Sequence, residues 1–199
     1  MSKERFCAFS DGVFAFAITL LILGIALPAF KAAPTEGELR TAVLSLWPNA
    51  IAYALSFAVI GIMWQNHHAL FRLVARIDRK TVFLNLLLLG GTAFIPFATS
   101  TLGSYPTMHT STFLYGVVLS YCSIVYNLIL HHLRASGSFA PELRERMTLT
   151  TRAYATGLLS YVGATLVALV APVVSFAIYV VVVLYYLVPR GADDDLDED

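Results

Sequence analysis

Long apolar runs, separated by short breaks that carry charge, proline or glycine, set the pattern of this chain. The runs fall at about 8–30, 43–66, 81–103, 110–133, 151–171 and 173–189. Each approaches the roughly 20 apolar residues needed to cross ~30 Å of hydrocarbon. Pro28 and Pro34 follow the first run, and Gly103 and Pro106 follow the third. Only the uncharged Ala171-Pro172 separates the last two runs. One bent helix of that combined length does not fit a bilayer, so this break predicts a tight turn between two spans. Backbone polar groups in lipid must pair within their own segment, which makes these runs helices. The pattern predicts an all-α membrane protein: a six-transmembrane-helix bundle, single repeat, over residues 1–190. Residues 191–199 form an acidic tail, expected to be cytoplasmic and disordered.

Composition agrees. The chain of 199 residues is 58% hydrophobic and 13% charged, against about 25% charged in soluble domains. Its formal net charge is zero, which gives no bias toward nucleic acid. Cys7 and Cys122 are far apart and read as apolar filler, not as a disulfide or zinc framework. The first run is too long for a signal-peptide core, so it is expected to stay in the mature protein. Eleven of the thirteen basic residues fall on one side of the six-span layout; Lys31 and Arg40 are the two on the other. By the positive-inside rule both termini are cytoplasmic, as an even span number requires.

The chemistry concentrates in two places. Asp11 stands near the start of the first span, where a carboxylate must face protein or water. It reads either as a helix-start residue, with Ser10 or Asp11 capping free N–H groups, or as a functional intramembrane acid. Trp64-Gln65-Asn66-His67-His68 closes the second span on the same side. Arg5, Ser10, Asp11, Trp64, Asn66, His67 and His68 can thus meet at one depth. Adjacent histidines point about 100° apart on a helix, so no metal site is predicted. His131-His132 repeats the pattern at the end of the fourth span and reads as interfacial. Nucleophile elbows, phosphate loops and paired intramembrane carboxylates are missing, which argues against an enzyme. Thr101-Leu102-Gly103-Ser104-Tyr105 lacks the second glycine of a carbonyl filter.

Arg5-x-x-x-Phe9-Ser10-Asp11 resembles the RxxxFSD signature of the transmembrane protein 175 family of potassium channels, in its short bacterial form. Residues 12–23 also resemble that family's first helix, and Trp64…His67-His68…Phe71 resembles the end of its second. The resemblance implies a homotetramer in the cell membrane, in contact with lipid and with no cofactor. Potassium is then the permeant ion. It implies a central pore lined by the first helix of each subunit, with apolar layers at Phe16, Leu20 and Leu23 and a threonine at Thr19. Arg5, Phe9, Ser10 and Asp11, with Trp64, Asn66, His67 and His68, would hold that helix. Positions 16, 20 and 23 share one face of an α-helix, with Ile18 and Ile22 off it. Phe16 departs from the isoleucine or leucine usual in the family. A narrow apolar neck gates by dewetting and gives modest potassium selectivity. The competing expectation is a proton- or cation-coupled secondary transporter with Asp11 and His67 or His68 as a relay.

Overall fold

The computed structural model describes residues 2–139 and 146–187. Helix α1 (Lys3–Leu20) runs into a 3₁₀ turn at Leu21–Gly24. A non-helical stretch leads to the short α2 (Glu36–Ser45) and then α3 (Trp47–Arg72). Two long helices follow, α4 (Arg79–Ser104) and α5 (His109–Ala135), and then α6 (Arg146–Val167) and α7 (Pro172–Leu187). Among the described residues, four segments are long and apolar enough to span a membrane: Lys3–Gly24, Glu36–Arg72, Arg79–Ser104 and His109–Ala135. Thr156–Val167 and Pro172–Leu187 are shorter apolar helices. The chain is an all-helical, multi-pass membrane protein. Its acidic tail lies outside the described residues.

Local chemistry explains the boundaries. Ser2 caps α1, accepting from the Arg5 N–H at 3.4 Å. Thr35 and Glu38 form a reciprocal capping box on α2, satisfying two N–H groups that the first turn leaves open. Asp78 caps α4, accepting from the Thr81 N–H and hydroxyl, each at 2.7 Å. Pro48 has no N–H, which interrupts the helical ladder and separates α2 from α3 at Leu46. Pro172 starts α7 where its missing N–H costs nothing.

Three expected spans shift. The first helix begins at Lys3 and unwinds by Gly24, so residues 25–30 are apolar but not helical. The second continues to Arg72, which places Trp64–His68 inside α3 and not at its end. The fifth span, expected over 151–171, is a helix from Arg146 to Val167. The turn of residues 168–171 is as tight as expected.

Helix α4 packs against α1, α3 and α5, and α5 in turn packs against α6. Small residues let the helices approach: a Cβ on Gly116 would stand 2.0 Å from the Tyr179 hydroxyl, and one on Gly91 2.7 Å from the Tyr121 ring. Ser56 lies between Thr99 and Tyr115, at 2.7 and 3.0 Å, and all three are buried. Among the described residues no buried side-chain polar atom lacks a partner, as an apolar surround demands.

At one end of the bundle the connections are tied together. Val74 and Phe139 form an isolated antiparallel bridge, and the Ala75 N–H donates to the Ser138 carbonyl at 2.9 Å. His132 Nε2 meets Asp78 Oδ2 at 2.8 Å. The Thr81 hydroxyl and N–H, with a smaller contribution from His132, hold the Asp78 carboxyl down to about 2.

Candidate ion pathway

Helix α1 has two faces of different character. Phe6, Ser10, Phe14, Ala17 and Leu21 are buried, and their spacing of three or four residues makes one stripe against α3 and α4. The opposite stripe is open. Arg5, Gly12, Ala15 and Thr19 are exposed, as are Phe9, Phe16 (64%) and Leu23 (72%). Leu20 is half-buried at the edge of this stripe, while Ile22 is exposed. The 3₁₀ winding of Leu21–Gly24 explains the difference from a straight α-helical reading. Each residue there turns about 120° instead of 100°, which carries Ile22 round toward the Thr19 side of the open stripe. The Thr19 hydroxyl donates to the Phe16 carbonyl at 2.8 Å. Its proton is thereby engaged, and its oxygen lone pairs are left on the open stripe.

Behind the buried stripe runs a directed hydrogen-bond chain. Ser10 Oγ donates to the Phe6 carbonyl at 3.0 Å, so it must accept from the Asn85 Nδ2 group at 2.9 Å. That orients the amide, and Asn85 Oδ1 faces His67 Nε2 at 2.8 Å. An amide oxygen only accepts, so His67 carries its proton on Nε2. The His67 ring is buried, with the Phe71 ring centroid 4.5 Å and the Phe14 centroid 5.4 Å away. Nearer the surface, Trp64 Nε1 donates to Asp11 Oδ1 at 2.9 Å.

The network therefore brings Ser10 to His67 through Asn85, and Asp11 to Trp64. The Asn66 carbonyl accepts from the Tyr126 hydroxyl of α5 at 2.9 Å. Arg5 and Phe9 lie on the open stripe instead, and His68 is exposed beside Trp64 with ring centroids 5.9 Å apart. Asn85 was missed in the sequence, although a lone asparagine in Leu84-Asn85-Leu86-Leu87-Leu88 is the signal that finds it. No hydrogen bond joins Asp11 to either histidine among the described residues, which does not favour a relay.

The far end of α1 is fixed as well. Asn49 Nδ2 donates to the Gly24 carbonyl at 3.2 Å. A Cβ on Gly24 would stand 3.2 Å from Ser100 Cβ, and one on Gly103 2.8 Å from Asn49 Cα. Elsewhere, a cavity of about 80 Å³ opens between α3, α5, α6 and α7, lined by Met63, Leu119, Cys122 and Asn127 among others. No residue of α1 lines it, so it is separate from the open stripe. Among the described residues, no three His, Cys, Asp or Glu side chains are placed to hold a metal ion.

The family model described as "Endosomal/lysosomal potassium channel TMEM175" matches residues 5–96. A potassium channel of Streptomyces collinus is 40% identical over 185 residues, covering 90% of this chain and 88% of that protein. The crystal structure of a lysosomal potassium-selective channel TMEM175 homolog from Chamaesiphon minutus superposes with a TM-score of 0.84 at 35% identity. It covers 92% of this chain and 95% of the other. The human endosomal/lysosomal proton channel TMEM175 is 41% identical over 103 residues, 49% of this chain and 20% of its own length. The matched region holds α1 from Arg5 onward together with Trp64, His67 and Asn85 of its polar network, and on this evidence the chain belongs to the TMEM175 family of channels.

Proposed function

We propose that this chain forms a passive potassium channel, built as a homotetramer around the open stripe of α1. The observation that carries this reading is the asymmetry of α1. One face is locked to its own subunit, while Phe16, Thr19 and Leu23 are left uncovered. Apolar side chains of one subunit cannot enclose a pathway alone; symmetric repetition around an axis does so at once. Phe16 and Leu23, with Leu20 at the edge, then form stacked apolar rings. Such a neck conducts only when wetted and strips water at a cost that is smaller for potassium than for sodium. Thr19 supplies a hydroxyl oxygen on the open stripe, its proton already engaged by the Phe16 carbonyl.

Arg5 and Phe9 sit at the mouth of this pathway. Ser10, Asn85 and His67, with Asp11 and Trp64, hold α1 in place and do not touch the ion. The basic end of the bundle faces the cytoplasm by the positive-inside rule. Transport needs no chemistry and no cofactor, and the protein is not an enzyme.

Purified protein in liposomes tests this. Potassium flux should follow the imposed gradient and potential, exceed sodium flux, and need no second ion. Flux that appears only with an opposing proton gradient would overturn the channel reading. Cross-linking in mild detergent should give four subunits; a monomer at every concentration would remove the central pathway.

A further inference from the structure

Lys3 stands on the packed stripe of α1, three residues before Phe6 and outside the Arg5–Asp11 signature. Its Nζ donates to the Arg72 carbonyl at 3.1 Å and to the Val74 carbonyl at 2.8 Å. These two oxygens lie at the C-terminal end of α3. Carbonyls there have no intrahelical partner, and the helix dipole is negative. A lysine at the edge of a bundle ordinarily extends its ammonium into water. Here the ammonium turns back onto two converging carbonyls. Val74 is also the residue that pairs with Phe139, beside the Ala75–Ser138 hydrogen bond. One charged group therefore joins the start of α1 to the end of α3 and, through Val74, to the segment that follows α5.

We propose that Lys3 is a positioning residue that sets how far the mouth of the pathway opens. The inference rests on α1 being the pore wall. Lys3 pulls on the packed face, opposite to Phe9 and Phe16. It holds the first turn of α1 back against its own subunit and away from the axis. Asn49 holds the other end of the helix, at Gly24. Releasing Lys3 lets the first turn lean toward its open face and narrow the entrance. The apolar layers at Phe16 to Leu23 lie beyond Asp11 and its bond to Trp64, so ion preference is unaffected.

The test compares Lys3→Met, Lys3→Arg and Phe16→Ala as assembled channels in liposomes. Lys3→Met should lower potassium flux about threefold or more, as expected for a gating element, with the potassium-to-sodium ratio unchanged. Lys3→Arg keeps charge and donors and should restore flux. A spin label on the exposed position 4, as Glu4→Cys with Cys7→Ser, reads the tether directly. Its distance between subunits should shorten in Lys3→Met and not in Lys3→Arg. Unchanged flux and distance in Lys3→Met, while Phe16→Ala alters flux, overturns the role of Lys3 and leaves the pore reading standing. If Phe16→Ala also changes nothing, α1 is not the wall and both fall. If Lys3→Met does not assemble, Lys3→Gln is measured in its place. Failure of both makes the ammonium a folding contact and overturns the proposal.

Discussion

Helices α1 and α5 are both apolar enough to span a membrane, yet their fates differ. In the single subunit α5 buries 56% of its apolar window and α1 buries 28%. Hydropathy does not distinguish them, because a leucine is equally content against lipid or another helix, and lines a dewetted pore as well. The polar residues separate the two. On α5, Ser111, Thr112, Tyr115 and Ser120 are buried within the subunit. On α1 the one buried polar side chain, Ser10, marks the packed face, while Thr19 and Arg5 lie on the open one. A membrane helix fixed along one stripe and bare along the other fits the assembly proposed above.

The sharpest way to break this contrast is to attack the packed face of α1. Asn85→Leu leaves the His67 N–H and Ser10 without their partner, at about 1–3 kcal/mol for each buried group. Melting in detergent should fall clearly, with ion preference intact in whatever channel survives. Unchanged melting would mean that the chain from Ser10 to His67 does not hold the helix.

Glycines offer the next comparison. Gly116→Ala in α5 drives a methyl into Tyr179 and Thr165 and should cost about 1–3 kcal/mol, the usual range for overpacking. Gly12→Ala on α1 meets nothing within 4 Å in the subunit. Its melting temperature should match the parent's, while potassium flux falls because the methyl enters the pathway. Equal destabilisation of both variants would erase the distinction between the helices.

Polar substitution then sharpens the open face. Leu23→Asn should raise flux several-fold and weaken the preference for potassium, since a polar wall keeps water in the neck. Ile18→Asn, half-buried on α1, should harm assembly without raising flux. If Ile18→Asn opens the channel as Leu23→Asn does, the stripe is misassigned.

The smallest effect lies at the tied end of the bundle. The lowered Asp78 carboxyl stabilises the fold above its free value of about 3.9. That contribution is lost only as pH falls through about 2. Because Thr81 supplies most of the shift, His132→Gln should leave the melting temperature close to the parent's. A clear fall in melting temperature in the variant would give His132 a larger role.

Much of this was legible in the residues. Arg79-Lys80 and Gly103…Pro106 punctuate α4 so clearly that its ends lie within two residues of expectation. The open stripe followed from positions 16 and 23 and a known signature. What escaped was geometry that composition does not encode. The apolar run 25–30 carries no sign that helix stops at Gly24; the close approach of Ser100 and the Asn49 bond hold it there. The same 3₁₀ turn moved Ile22 onto the open side. Asn85 escaped because a polar residue 75 positions from Ser10 declares no partner until α1 and α4 are packed.

That separation bears on biogenesis. A chain enters the bilayer in order, and α1 precedes every residue that completes it. Asp11 waits 53 residues for Trp64, and Ser10 waits 75 for Asn85. While α1 is alone in the translocon or lipid, its carboxylate and hydroxyl have only interfacial water and their own backbone. The placement of Asp11 in the third turn, close to the boundary, keeps that water within reach. Insertion of α3 and α4 then recruits α1 sideways by capturing these groups. In the proposed tetramer its bare stripe can meet other subunits only afterwards, so the order of the chain would put folding before assembly.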